Sequence, residues 1–172
     1  MKKTKNMNCA SCFSALQDGK IPASYKKELI FMLRYKNHRF HYGKVSFQIP
    51  EGYFIDTAPE LISDNFLHLY APDMSFFIDI HVYTESKDST TELSSVLRDM
   101  KHTLVHPVSI ISINGLTGVH AAYRAQGTQY YEAWLDVEKD VTLLILLSAK
   151  SPIEKIDTAS IVAAIDPRLT VE

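Results

Sequence analysis

The sequence is short of the residues from which chemistry is usually read. It has two cysteines in 172 residues, too few for a disulfide framework and in keeping with a reducing compartment. Its longest apolar run, Val141–Leu147, has the length of a strand and falls short of the roughly 18 residues needed to span a bilayer, so no transmembrane helix is expected. Lys2, Lys3 and Lys5 give the start the basic opening of a signal peptide, but no apolar segment follows and no lipobox-like stretch precedes Cys9. The chain is therefore expected to stay in the cytoplasm. Glycine is sparse as well, and no phosphate loop or dinucleotide fingerprint is present; Asn114-Gly115-Leu116-Thr117-Gly118 reads as a hairpin turn rather than a strand-to-helix cradle. Ser109, Ser112 and Ser148 lie in apolar strands without the glycines of a nucleophile elbow. Asp79, His81 and Glu132 are the acid–base candidates, but nothing in their spacing joins them to a nucleophile, and no enzyme is expected.

What the chain does contain, from Pro107 onward, is the grammar of strands. Four runs, Val108–Ile113, Val119–Ala125, Gln129–Val137 and Val141–Leu147, are punctuated by Asn114–Gly115, by Gly127 and by Glu138-Lys139-Asp140. Connections this short predict antiparallel hairpins and hence a meander. Alternation along the middle two runs predicts that Val119, Ala121, Tyr123, Tyr131, Ala133, Leu135 and Val137 point one way, and His120, Arg124, Glu132, Trp134 and Asp136 the other. Trp134 is thereby expected on the wet side. The last run hardly alternates, which predicts a central strand covered on both faces.

Ahead of the meander, Val45, Phe47 and Ile49 alternate with polar residues until Pro50-Glu51-Gly52-Tyr53 turns the chain. Phe54–Asn65 reads as irregular. Phe66–Tyr70 and Phe76–Thr84 predict a hairpin, with Phe76, Ile78, Ile80 and Val82 on one face and Phe77, Asp79, His81 and Tyr83 on the other. Ser89-Thr90-Thr91-Glu92 has the form of a capping box and opens a predicted helix over Thr91–Val105 with an apolar stripe of Leu93, Val96, Leu97, Met100 and Leu104. Pro152 is expected to start a last helix reaching about Ile165, and Leu169–Val171 to form a closing strand. The order of elements is that of an antiparallel α+β domain, a sheet of about six or seven strands packed with helices.

Formal charge is −2 but uneven: residues 1–50 hold ten Lys and Arg against two acids, and residues 51–172 hold eight against eighteen. A basic extension over residues 1–41, with an amphipathic helix over Pro22–Tyr35, is expected to lie on an acidic domain at 42–172. No nucleic-acid motif accompanies the basic charge, so neither nucleic acid nor membrane is expected as a partner.

The succession of a strand, Ile49-Pro50-Glu51-Gly52-Tyr53, a hairpin, a helix, Ile113-Asn114-Gly115-Leu116-Thr117-Gly118 entering a long meander, and a C-terminal helix with a short terminal segment resembles the PsbP-like fold. That fold is shared by the extrinsic photosystem subunit, the Ran-GTPase release factor of nuclear import and bacterial DcrB-like proteins. The resemblance covers about Tyr42 to Val171 and implies an α/β/α sandwich whose known members mostly bind partners or assist assembly without doing chemistry.

Two constellations are candidates for function. Tyr83, His81, His120, Arg124, Tyr130, Glu132 and Trp134 would form a polar-aromatic sheet face able to meet a protein partner, a second copy of the chain, or an anionic or aromatic ligand. Tyr83, Tyr130 and Trp134 are the expected contact residues, and an ordinary wet sheet face is the plain alternative. Cys9-x-x-Cys12 with His38-x-x-His41 has the ligand types of a tetrahedral zinc site, though the separation of the two pairs exceeds that of a usual finger; an inert pair and a redox pair are the other readings of the cysteines. The expected function is a non-catalytic interaction or assembly module without a cofactor, with small-ligand or metal binding as the alternative.

Overall fold

The computed structural model describes residues 35–36, 39–42, 44–55, 66–85, 87–99 and 101–170. In chain order they form β1 (Tyr35–Lys36), β2 (Arg39–Tyr42), β3 (Val45–Phe47), β4 (Phe54–Ile55), β5 (Phe66–Tyr70), β6 (Phe76–Tyr83), α1 (Ser89–Asp99), β7 (Thr103–Ile113), β8 (Leu116–Ala125), β9 (Thr128–Glu138), β10 (Val141–Ala149), a 3₁₀ turn (Ile153–Lys155), α2 (Thr158–Ile165) and β11 (Arg168–Leu169). The expected helix over Pro22–Tyr35 lies outside the described residues except for Tyr35, which stands in β1. Strand β2 runs across residue 41 and pairs with β3.

The meander forms as expected, because two of its turns have the backbone a two-residue hairpin requires. Asn114 and Gly115 take φ of 51° and 83°, and Gln126 and Gly127 take 51° and 80°, the left-handed values that match the twist of the flanking strands. The sheet has the order β4-β5-β6-β10-β9-β8-β7, and neighbouring strands are antiparallel throughout. Strand β10 is central, between β6 and β9, which is why its sequence hardly alternates. Among the described strands, β4 and β7 are the outermost of this sheet.

One face of this sheet supplies Leu67, Leu69, Ile78, Ile80, Leu143, Ile145, Leu147, Ala133 and Leu135 to the main core. It is closed by Phe40, Tyr42, Val45 and Phe47 of a second antiparallel sheet, ordered β1-β2-β3-β11, and by Ile153, Val162 and Ile165. The rings of Phe40, Tyr42 and Phe47 stack at 5.8 to 6.3 Å. The other face carries α1, whose Leu93 and Leu97 are buried against Val119, Ala121, Tyr123, Trp134 and Leu144; each leucine contributes about 1.5–3 kcal/mol by leaving water.

Four expectations are corrected. The helix after β6 ends at Asp99, and Leu104 and Val105, read as helix, lie in β7. Its cap is Asp88, whose carboxylate accepts from the Thr91 N–H at 2.7 Å, while the Ser89 hydroxyl donates to Asp136 at 3.0 Å. The expected last helix is broken into the 3₁₀ turn and α2, because Asp157 caps α2 afresh through the Ser160 N–H. The faces of β8 and β9 are matched the other way: Tyr123 stands opposite Tyr130, and Val119 opposite Trp134. A two-residue turn sets odd positions of β8 beside even positions of β9, so the side chains read as one apolar set divide between the two faces.

Candidate functional site

The polar-aromatic face exists, but α1 takes part of it. Alternation in β5 and β6 puts Phe66, His68, Tyr70, Phe77, Asp79, His81 and Tyr83 on the side of the sheet that carries α1. The Phe66 and His81 rings lie 4.4 Å apart, His68 lies 4.8 Å from Tyr70 and 5.0 Å from Phe77, and His68 Nδ1 bonds Asp79 Oδ1. Across β10, Tyr83 stacks on Trp134 at 5.6 Å, with the Lys87 ammonium 4.8 Å from the Tyr83 ring centre. Burial lowers the His81 pKa, with the Asp79 charge acting against it; burial, then the charges of Glu92 and Glu132, raises that of Tyr83.

Two residues expected on the open face, one of them an expected contact, are not at the surface. Trp134 and Glu132 are each 4% exposed, and the Glu132 carboxylate accepts from the Tyr123 hydroxyl and from Trp134 Nε1 at 2.9 Å. The reason is α1: Leu97 and Leu93 close over this stretch of β8 and β9, and a carboxylate enclosed there is retained because both oxygens have donors. Tyr130, half-buried, stacks on Tyr123 at 5.2 Å. Burial, followed by the Glu132 charge and hydrogen bond, drives the Tyr123 pKa upward, so its phenol stays neutral and donates.

His120 and Arg124 are on the opposite side of the sheet from Glu132 and Trp134, by the same pairing parity. His120 sits 5.5 Å from the Tyr131 ring, whose phenol burial pushes up to about 12, and its Nε2 is 2.9 Å from the Ser109 hydroxyl. Burial and then the nearby His106 lower its pKa, so it is neutral at pH 7. Among the described residues His120 Nδ1, which is buried, has no hydrogen-bond partner, so none of their carboxylates orients the imidazole as a serine triad requires.

Cys9, Cys12 and His38 lie outside the described residues. His41, in β2 opposite Ser46, has a buried Nε2 without a partner among the described residues. Among the described residues no group of three or more His, Cys, Asp or Glu is arranged to hold a metal ion, and no helix is long and apolar enough to cross a membrane.

The feature that sequence reasoning passed over is the outer edge of β7. Leu104, Val108 and Ile110 are exposed, Ile110 to 83%. Thr103–Ile113 holds no charged residue, and in the neighbouring β8 only Arg124 is charged. Its register against β8 is irregular from Leu104 to Ser109, around Pro107, and regular from Ser109 to Ile113. At its start a shallow cleft of about 350 Å³ is lined by Lys101, His102, Thr103, Arg124 and the Gln126–Gly127 turn. The missing charge from Thr103 to Ile113 was the signal available in the sequence.

No family model and no curated protein matches the chain. Among solved structures it is similar to cyanobacterial PsbP (CyanoP) from Synechocystis sp. PCC 6803, with 12% identity and a TM-score of 0.53 over 76% of this chain and 91% of that one. A crystal structure from Bacteroides thetaiotaomicron VPI-5482 shares 10% identity at a TM-score of 0.47, over 75% of this chain and 46% of that one. The CyanoP likeness runs through nearly the whole of that protein at an identity where only architecture is shared, and the chain has the PsbP-like fold.

Proposed function

We propose that the protein is a non-catalytic interaction or assembly module that takes a protein partner along the outer edge of β7. The observation that carries this reading is the combination of an uncharged eleven-residue outermost strand with three exposed large apolar side chains on it. Outer strands offer unpaired backbone N–H and C=O groups, and chains usually blunt them with charge; here Pro107 and the irregular pairing around it are the blunting devices, and they leave Ser109–Ile113 regular. The polar-aromatic face supports a partner less well, since Trp134 and Glu132 are engaged under α1. Of the residues singled out from the sequence, Arg124 belongs to this edge and is retained as a contact.

The test is a photo-crosslinking side chain placed at Ile110 of the full chain in its native cell, with the same group at exposed Glu154 as control. A discrete protein adduct formed at position 110 and absent at 154 is expected. No adduct, or the same adducts at both positions, would overturn the reading.

A further inference from the structure

Resting on that reading, we infer that the β7 edge takes an extended, alternately apolar segment of a partner protein, antiparallel to β7, with acidic side chains or a chain-terminal carboxylate at the segment's C-terminal end. Direction comes first from the sheet, which is antiparallel at every junction; such pairing is the more stable kind per residue. A strand added antiparallel to β7 starts beside Ile113 and ends beside Thr103. That second end is where the charge lies. Lys101 and Arg124 line the cleft at Thr103, Arg124 is paired directly across from Thr103, and among the described residues neither cation has an ion-pair partner.

The chemistry along the rest of the edge is apolar. Ile110 is fully presented and Val108 partly so, and Ser109 and Ser112 flank them with neutral hydroxyls. Main-chain hydrogen bonds to Val108–Ile113 would supply affinity, and alternate side chains selectivity, as in other strand-addition complexes. The segment must also pass Pro107, which has no N–H to offer, before reaching the cations. From Ile113 to Thr103 is about ten residues, roughly 34 Å of extended chain. A carboxylate arriving there meets two cations in a cleft that no acid lines among the described residues, and the contact is weakened by salt.

The experiment selects random peptides of about ten residues, each with a free C terminus, on the full chain. Enriched peptides are then measured by fluorescence anisotropy against wild type, Ile110→Lys and Arg124→Glu, both at exposed positions and both checked for unchanged melting. Enrichment of alternating apolar peptides with Asp or Glu in their last positions is expected. Binding should fall at least about tenfold with Ile110→Lys. With Arg124→Glu it should fall for acid-ended peptides and improve for their lysine-ended counterparts. Failure to enrich, enrichment of basic ends, or indifference to Ile110→Lys would each overturn the inference. So would a concentration-dependent dimer abolished by Ile110→Lys, which would give the edge to a second copy. In any of these cases a protein crosslinked at position 110 would leave the broader interaction reading standing, so the two can fail separately.

Discussion

Four side-chain donors converge on the carboxylate of Asp166, the left-handed residue that ends α2: Arg39 at 2.6 Å, Gln48 at 3.1 Å, Arg168 at 2.9 Å, and Asn114 from the β7–β8 turn. Arg39 also reaches the Asp166 carbonyl and both oxygens of Ser46. One residue thus ties the small sheet to α2 and to the meander. Burial acts to raise its pKa, but hydrogen bonds from Arg168 and Arg39 and their charges prevail and hold it below the ordinary carboxylate range. A carboxyl with a lower pKa folded than unfolded adds stability that is complete above the unfolded value, about 3.9, and is lost as the pH falls through the folded one. Asp166→Asn should therefore cost about 3 kcal/mol at neutral pH by removing the negative charge that the largely buried Arg39 is paired with. The difference from wild type should shrink below about pH 4. Urea unfolding of both chains across pH checks it, and a constant difference would contradict it. Trp134 gives a second residue-scale prediction, because it is the single tryptophan and lies sealed against Tyr83 and Glu132. Its emission should be blue-shifted and poorly quenched by iodide. Trp134→Phe should cost about 1–3 kcal/mol by leaving one oxygen of a buried carboxylate without a donor.

Among the elements, the β8–β9 hairpin has the least room for change. A Cβ built on Gly118 would stand 1.9 Å from the Trp134 carbonyl oxygen, so the two strands approach as closely as they do only because that position has no side chain. Gly118→Ala should destabilise by at least about 2 kcal/mol, read from thermal or urea unfolding; a neutral outcome would mean the strands are further apart than described. The same elements show how far the sequence could be read. The meander, the centrality of β10 and the faces of β6 followed from turn residues and alternation, which are local properties. The end of α1 did not, because Leu93, Leu97 and Leu104 continue a helical stripe into a stretch that also suits a strand, and Pro107 fits a helix stop as well as an edge-strand bulge. The burial of Trp134 was not legible either. It depends on pairing parity across a turn and on which face α1 covers, and both are decided by tertiary packing rather than by composition.

For the molecule as a whole, the architecture separates a closed region from an open one. Two sheets and α2 enclose the main core, α1 seals the second, and the meander ends in an outermost strand whose apolar side chains face water. The Asn114 contact to Asp166 anchors the far end of β7, while Lys101 and Arg124 give the near end its positive charge. Raising salt should therefore weaken partner binding without loss of the apolar contribution, and Arg124→Glu should flatten that salt dependence, as measured by affinity titration over ionic strength. The most direct measurement is amide hydrogen exchange on the full chain, alone and with the protein crosslinked at position 110 supplied in purified form. Protection confined to Thr103–Ile113 and the adjoining Lys101 and Arg124 positions is the predicted result. Protection centred on Tyr70, Phe77 and His81, with β7 unchanged, would contradict the account.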